Sequence, residues 1–142
     1  MNKWILLPLL LIVASVSYAV DTSWSKTTTH YTIYMSGGWA TMPFSPPSSV
    51  PISGTTVTSV SYQWSTYPNG NSSELVEICY SNPYSSTIQY CHNISASQTG
   101  TVHFYDGFSA RGTFWIRHTL TGGTYPATAN SRTDSVTVNY HY

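Results

Sequence analysis

From Thr55 to Thr66 apolar and polar positions alternate: Val60, Tyr62 and Trp64 share one parity, and Ser59, Ser61, Gln63 and Ser65 the other. A period of two describes an extended strand with one buried and one wetted face. The same period returns in "GTVHFYD", where Val102 and Phe104 oppose His103, and in "GTFWIRHTL", where Phe114 and Ile116 oppose Trp115 and Arg117. It closes the chain in "DSVTVNYHY", where Val136, Val138 and Tyr140 alternate with Thr137, Asn139 and His141. "ELVEICY" and "STIQYCH" read as the arms of a hairpin joined by "SNPYS", with Asn82-Pro83 at the turn. Nearer the start, "HYTIYMS" predicts a first strand before Gly37-Gly38. "WATMPFSPPSSVPISG" reads as an edge segment and a long crossover, because proline cannot donate to a central ladder.

Short runs of β-branched and aromatic residues cut by Gly, Pro, Asn and Ser, with little helical periodicity, define an all-β chain. About seven strands and one long proline-rich connection fit an immunoglobulin-like two-sheet antiparallel β-sandwich with one disulfide-stapled hairpin. A small barrel is the alternative. The segment ahead of the strands is different in kind. "MNKWILLPLLLIVASVSYA" has a lysine, an apolar run from Trp4 to Val16, and small residues at Ser17 and Ala19. This is the pattern of a secretory signal peptide over residues 1–19, leaving a single β-sandwich domain over residues 20–142. The apolar run is shorter than the roughly 20 residues of a spanning helix, so no integral membrane segment is expected after cleavage. The expected location is periplasmic, with secretion or the cell surface as the alternative.

Composition narrows the function classes. Charged residues make up 7% of the chain, and without Lys3 four basic residues face five acidic ones. A nucleic-acid partner needs a basic footprint that this chain lacks. In an oxidising compartment the two cysteines, Cys79 and Cys91, are expected to pair and fix the register of the hairpin that carries them.

Catalytic signatures are absent: there is no Gly-x-Ser-x-Gly elbow and no Ser-x-x-Lys. The five histidines, His30, His92, His103, His118 and His141, show no zinc-motif spacing. The nearest approach to a ligand set is Cys91-His92 with His103 and Asp106. The last two, three residues apart, would face opposite ways in one continuous strand. Glu74 and Glu77 are divided by the same spacing, so they cannot act as paired carboxylates. The expectation is no enzyme, no cofactor and no metal. What remains is aromatic: 12 tyrosines, 5 tryptophans and 4 phenylalanines. Trp64, Phe104, Phe114 and Tyr140 have core parity, whereas Tyr67, Tyr80, Tyr84, Tyr105 and Tyr125 fall at turns or strand ends. Tyr80, Tyr84, Tyr105, Trp115, Arg117 and Tyr125 are therefore the candidate binding residues.

From about Val50 onward four elements occur in order: "PISGTTVTSVSYQW", a cysteine-bearing hairpin, "GTFWIRHTLTGG" and "SVTVNYHY". This order, with its Val-Asn-Tyr ending, resembles the periplasmic flagellar protein family FlhE over roughly two-thirds of the chain. The resemblance implies a small periplasmic β-sandwich without catalytic residues, accessory to flagellar assembly. It also implies chaperone-like or plug-like binding to flagellar rod or export-apparatus components. Two other classes fit the composition. One is a fimbrial or pilus-type subunit, although the penultimate residue is His141 where such subunits carry tyrosine. The other is a carbohydrate- or surface-binding module using Trp39, Trp115 or the turn tyrosines.

Overall fold

The computed structural model describes residues 19–142, so the signal peptide expected over 1–19 lies, apart from Ala19, outside the described residues. Eight strands follow in order: β1 Asp21–Thr29, β2 Trp39–Phe44, β3 Thr56–Gln63, β4 Ser73–Ser81, β5 Tyr90–Asn93, β6 Thr99–Val102, β7 Thr113–Thr121 and β8 Thr133–His141. They form two four-stranded sheets with orders β1-β8-β3-β6 and β2-β7-β4-β5. Every named pairing is antiparallel. This is the expected all-β, two-sheet sandwich. Among the described residues no helix is long and apolar enough to cross a membrane.

Among the described residues only β4 and β5 are consecutive strands within one sheet; the other connections pass from one sheet to the other. That lone hairpin is the one the disulfide staples. Cys79 and Cys91 are register partners with Cα atoms 4.0 Å apart and sulfurs bonded.

Alternation decides the interior. Phe114, Ile116, His118 and Leu120 of β7 are buried while Trp115, Arg117 and Thr119 are partly covered on the outer side. Across the ladder they meet Tyr80, Ile78, Val76 and Glu74 of β4, and Phe44, Met42 and Ala40 of β2. The facing sheet contributes Asp134, Val136, Val138 and Tyr140 from β8, with Trp24 of β1 and Val60 of β3. Its outer side is a grid of hydroxyls and amides, joined by Ser25 to Thr137 at 2.6 Å, Ser61 to Thr101 at 2.9 Å and Asn139 to Ser59 at 2.9 Å.

Three expectations change. The first strand is Asp21–Thr29, not "HYTIYMS", where only Ile33 makes a bridge, to Ala127. β1 is an edge strand in which Trp24 alone is buried, so it has no apolar alternation to reveal it. β6 ends at Val102, and the turn that follows exposes Phe104 (49%) and buries Tyr105 (0%), the reverse of their expected roles. β5 begins only at Tyr90; the preceding loop holds Tyr84 at φ 62°, a left-handed conformation uncommon outside glycine.

Candidate functional site

Four ionisable side chains form a hydrogen-bonded chain at one end of the interior. Glu74 Oε1 lies 2.6 Å from His118 Nδ1, His118 Nε2 lies 2.9 Å from Asp134 Oδ2, and Asp134 Oδ1 lies 2.6 Å from His30 Nε2. The side chains of His30, His118 and Asp134 are fully enclosed, and that of Glu74 is 7% exposed. Glu74, His118 and Asp134 are aimed inward because each has the parity of its strand's apolar residues, while His30 follows the end of β1. The backbone N–H of Ser65 donates to Asp134 Oδ1 at 3.1 Å. Tyr67 stacks on His30 with centroids 4.6 Å apart and donates its hydroxyl to the Tyr31 carbonyl at 2.5 Å.

The electrostatics follow from this geometry. Burial by itself lowers the pKa of His118, but hydrogen bonds to Asp134 and Glu74 and their charges outweigh it and raise the pKa above its ordinary value. Asp134 is the mirror case: burial raises its pKa, and the bonds and charges of His118 and His30 bring it below the ordinary value. With a carboxylate at each ring nitrogen, His118 has an acceptor for a proton on both sides, an arrangement that favours its charged form. Tyr67 is raised by burial and then by the Asp134 and Glu74 charges, so it stays neutral.

A second feature occupies the outer face of the β2-β7-β4-β5 sheet. Arg117 donates to Glu77 Oε2 through Nε at 3.0 Å and Nη2 at 2.7 Å, and its Nη2 reaches Cys91 Sγ at 3.7 Å. Trp115 Nε1 donates to Ser81 Oγ at 2.8 Å. Farther along, Trp39 is 66% exposed and lines a shallow apolar recess with Tyr34, Met35 and Gly38.

No protein-family model matches the chain, and no curated protein matches it by sequence. The crystal structure of FlhE does match in three dimensions, with a TM-score of 0.66 over 86% of this chain and 98% of that one, at 22% identity. The chain has the FlhE fold. The likeness extends beyond the carboxyl two-thirds that carry the sequence resemblance.

On this FlhE fold the candidate residues separate. Tyr84 is open to solvent, and Trp115 and Arg117 are half-buried together on the outer face. Tyr80 and Tyr105 are not surface residues. Tyr80 is buried against Phe114 and Phe108, and its hydroxyl donates to the Ser109 carbonyl at 3.0 Å. Tyr105 donates to the Ile78 carbonyl at 2.6 Å and the Tyr90 carbonyl at 3.3 Å. Tyr125 is half-buried against the core, and its hydroxyl is enclosed without a partner. Cys91 is committed to the disulfide. His103 Nδ1 and Asp106 Oδ2 meet at 2.9 Å, although a continuous strand would have kept them apart, because the strand stops at Val102. Both are exposed, and His92 stacks instead on Phe104 at 5.1 Å. Glu74 and Glu77 do face opposite ways, one onto His118 and the other onto Arg117.

The histidine–carboxylate chain escapes motif reading because its members come from four segments spread over Glu74, His30, His118 and Asp134. A usable signal was present: three of the four are polar residues at apolar-parity positions.

Proposed function

We propose that this chain is a non-catalytic periplasmic accessory protein of flagellar assembly, released by signal-peptide cleavage before Val20 and acting by binding a protein partner. The observation that carries this reading is the FlhE fold, matched over nearly the whole of the other chain. Rod or export-apparatus components are the partners the flagellar reading favours, in a chaperone-like or plug-like role. The interior chemistry agrees with binding rather than catalysis, since the imidazoles of His30 and His118 are sealed from any substrate. Surface for a partner exists in the exposed rings of Tyr34, Trp39 and Tyr84. The free backbone of edge strand β1 could add a partner's strand.

Deleting the gene in its own host and imaging the cells by electron microscopy, with swarming scored in parallel, tests the proposal. Filaments misplaced in the periplasm or altered swarming, restored by the intact gene, is the expected result. Normal flagella with normal swarming removes it. One further reading has its own support: exposed Trp39 and Tyr34 side by side resemble a stacking platform for a glycan. Glycan-array binding lost in Trp39→Ala would favour that reading.

A further inference from the structure

We propose that His30, His118 and Asp134 bind one divalent transition-metal ion of the zinc class. The three residues present ligand atoms all within 4.8 Å of one another. Asp134 turns one oxygen to each imidazole, 2.6 Å from His30 Nε2 and 2.9 Å from His118 Nε2. Two imidazole nitrogens and two carboxylate oxygens are a borderline ligand set suited to zinc, whereas copper(I) favours sulfur. Metal–ligand bonds of about 2.0–2.2 Å need the donors slightly farther apart than these hydrogen bonds hold them. The ion would take the place of the protons now shared between rings and carboxylate, each ring keeping a proton on Nδ1 and the displaced protons passing to water.

Two further contacts fit. Glu74 accepts from His118 Nδ1 at 2.6 Å, which would hold the Nδ1 proton in place while the ion displaces the one that Nε2 shares with Asp134. A carboxylate behind a histidine ligand is the usual outer support of a protein metal site. The Ser65 N–H steadies Asp134 Oδ1 from the other side.

The site is closed to solvent, and its ligands come from the segment after β1, from β7 and from β8. Uptake is therefore coupled to the meeting of these segments during folding. This inference does not rest on the flagellar reading and can fail separately from it.

The test is to unfold the full disulfide-bonded chain in chelator and refold it with zinc or cobalt(II). After desalting, bound metal is counted by atomic emission. One equivalent per chain is expected, with cobalt giving the strong visible bands of a low-coordinate site. His30→Gln and His118→Gln should each abolish retention, and Glu74→Gln should weaken it by roughly 10-fold or more. The surface double variant His92→Gln with His103→Gln should keep one equivalent. Wild-type protein that refolds without retaining metal overturns the proposal, and this count decides even where a ligand variant fails to fold. Retention lost in the surface variant and kept in the buried ones overturns it equally.

Discussion

Strand β7 passes through two different interiors. At Phe114 its inward side chain sits among Trp24, Tyr80 and Tyr105, with ring centroids 6.3, 5.2 and 5.4 Å away. Four residues later His118 is also ringed by aromatics, with Trp64 at 5.8 Å and Tyr67 at 5.5 Å, but it is held by two carboxylates. The aromatic end is sustained by burial, which is non-directional and tolerates a change of shape. The polar end depends on each group keeping its partner, because an enclosed charge that loses one keeps its full desolvation penalty. Equal burial therefore gives unequal tolerance to substitution.

The largest effect should come from the polar end. In metal-free protein Asp134→Ala leaves both histidines without a shared acceptor and should cost about 3–5 kcal/mol, read from urea denaturation in chelator. A loss below that of the ring-end variant would break the comparison. Next is the staple: replacing Cys79 and Cys91 together with serine should cost about 3 kcal/mol, by the same denaturation assay. The doubly substituted protein, once folded and abundant, should retain full activity. Phe114→Leu, at the aromatic end, should cost about 1–2 kcal/mol and preserve a single cooperative transition.

The smallest effect, from Tyr105→Phe, should be about 1 kcal/mol and sharpens the comparison through pH. Burial, reinforced by the Glu77 charge, raises the Tyr105 hydroxyl above its ordinary pKa. A raised folded-state pKa means that its contribution is fully present below about pH 10, the unfolded value, and is lost as pH climbs toward the folded one. Wild-type stability should fall on the alkaline side, and the phenylalanine variant should fall less steeply, as followed by circular dichroism. Identical alkaline limbs would remove Tyr105 from the account.

Much of the fold was legible because alternation reports burial directly: β3, β7 and β8 lie where their parity places them. β1 was hidden because an edge strand that buries only Trp24 has no apolar face to display. Phe104 and Tyr105 were exchanged because a turn begins at His103, and parity has no meaning once a strand has ended. At the candidate site, Trp115 and Arg117 were readable as outward residues of β7. His30, His118 and Asp134 were not assembled, because spacing along the chain does not encode neighbours contributed by different strands in two facing sheets.

The strand order sets a timetable. β8, the last of the eight described strands in chain order, lies between β1, the first, and β3, with Asp21 paired to His141. A chain emerging from its amino terminus must leave one edge of each strand waiting for a centrepiece that follows all the others described. During that interval their backbone groups stay open to water or to any helper holding the nascent chain. That sheet is thus completed only when β8 emerges, and loss of its nine residues, Thr133–His141, should part β1 from β3 and β6 rather than trim an edge.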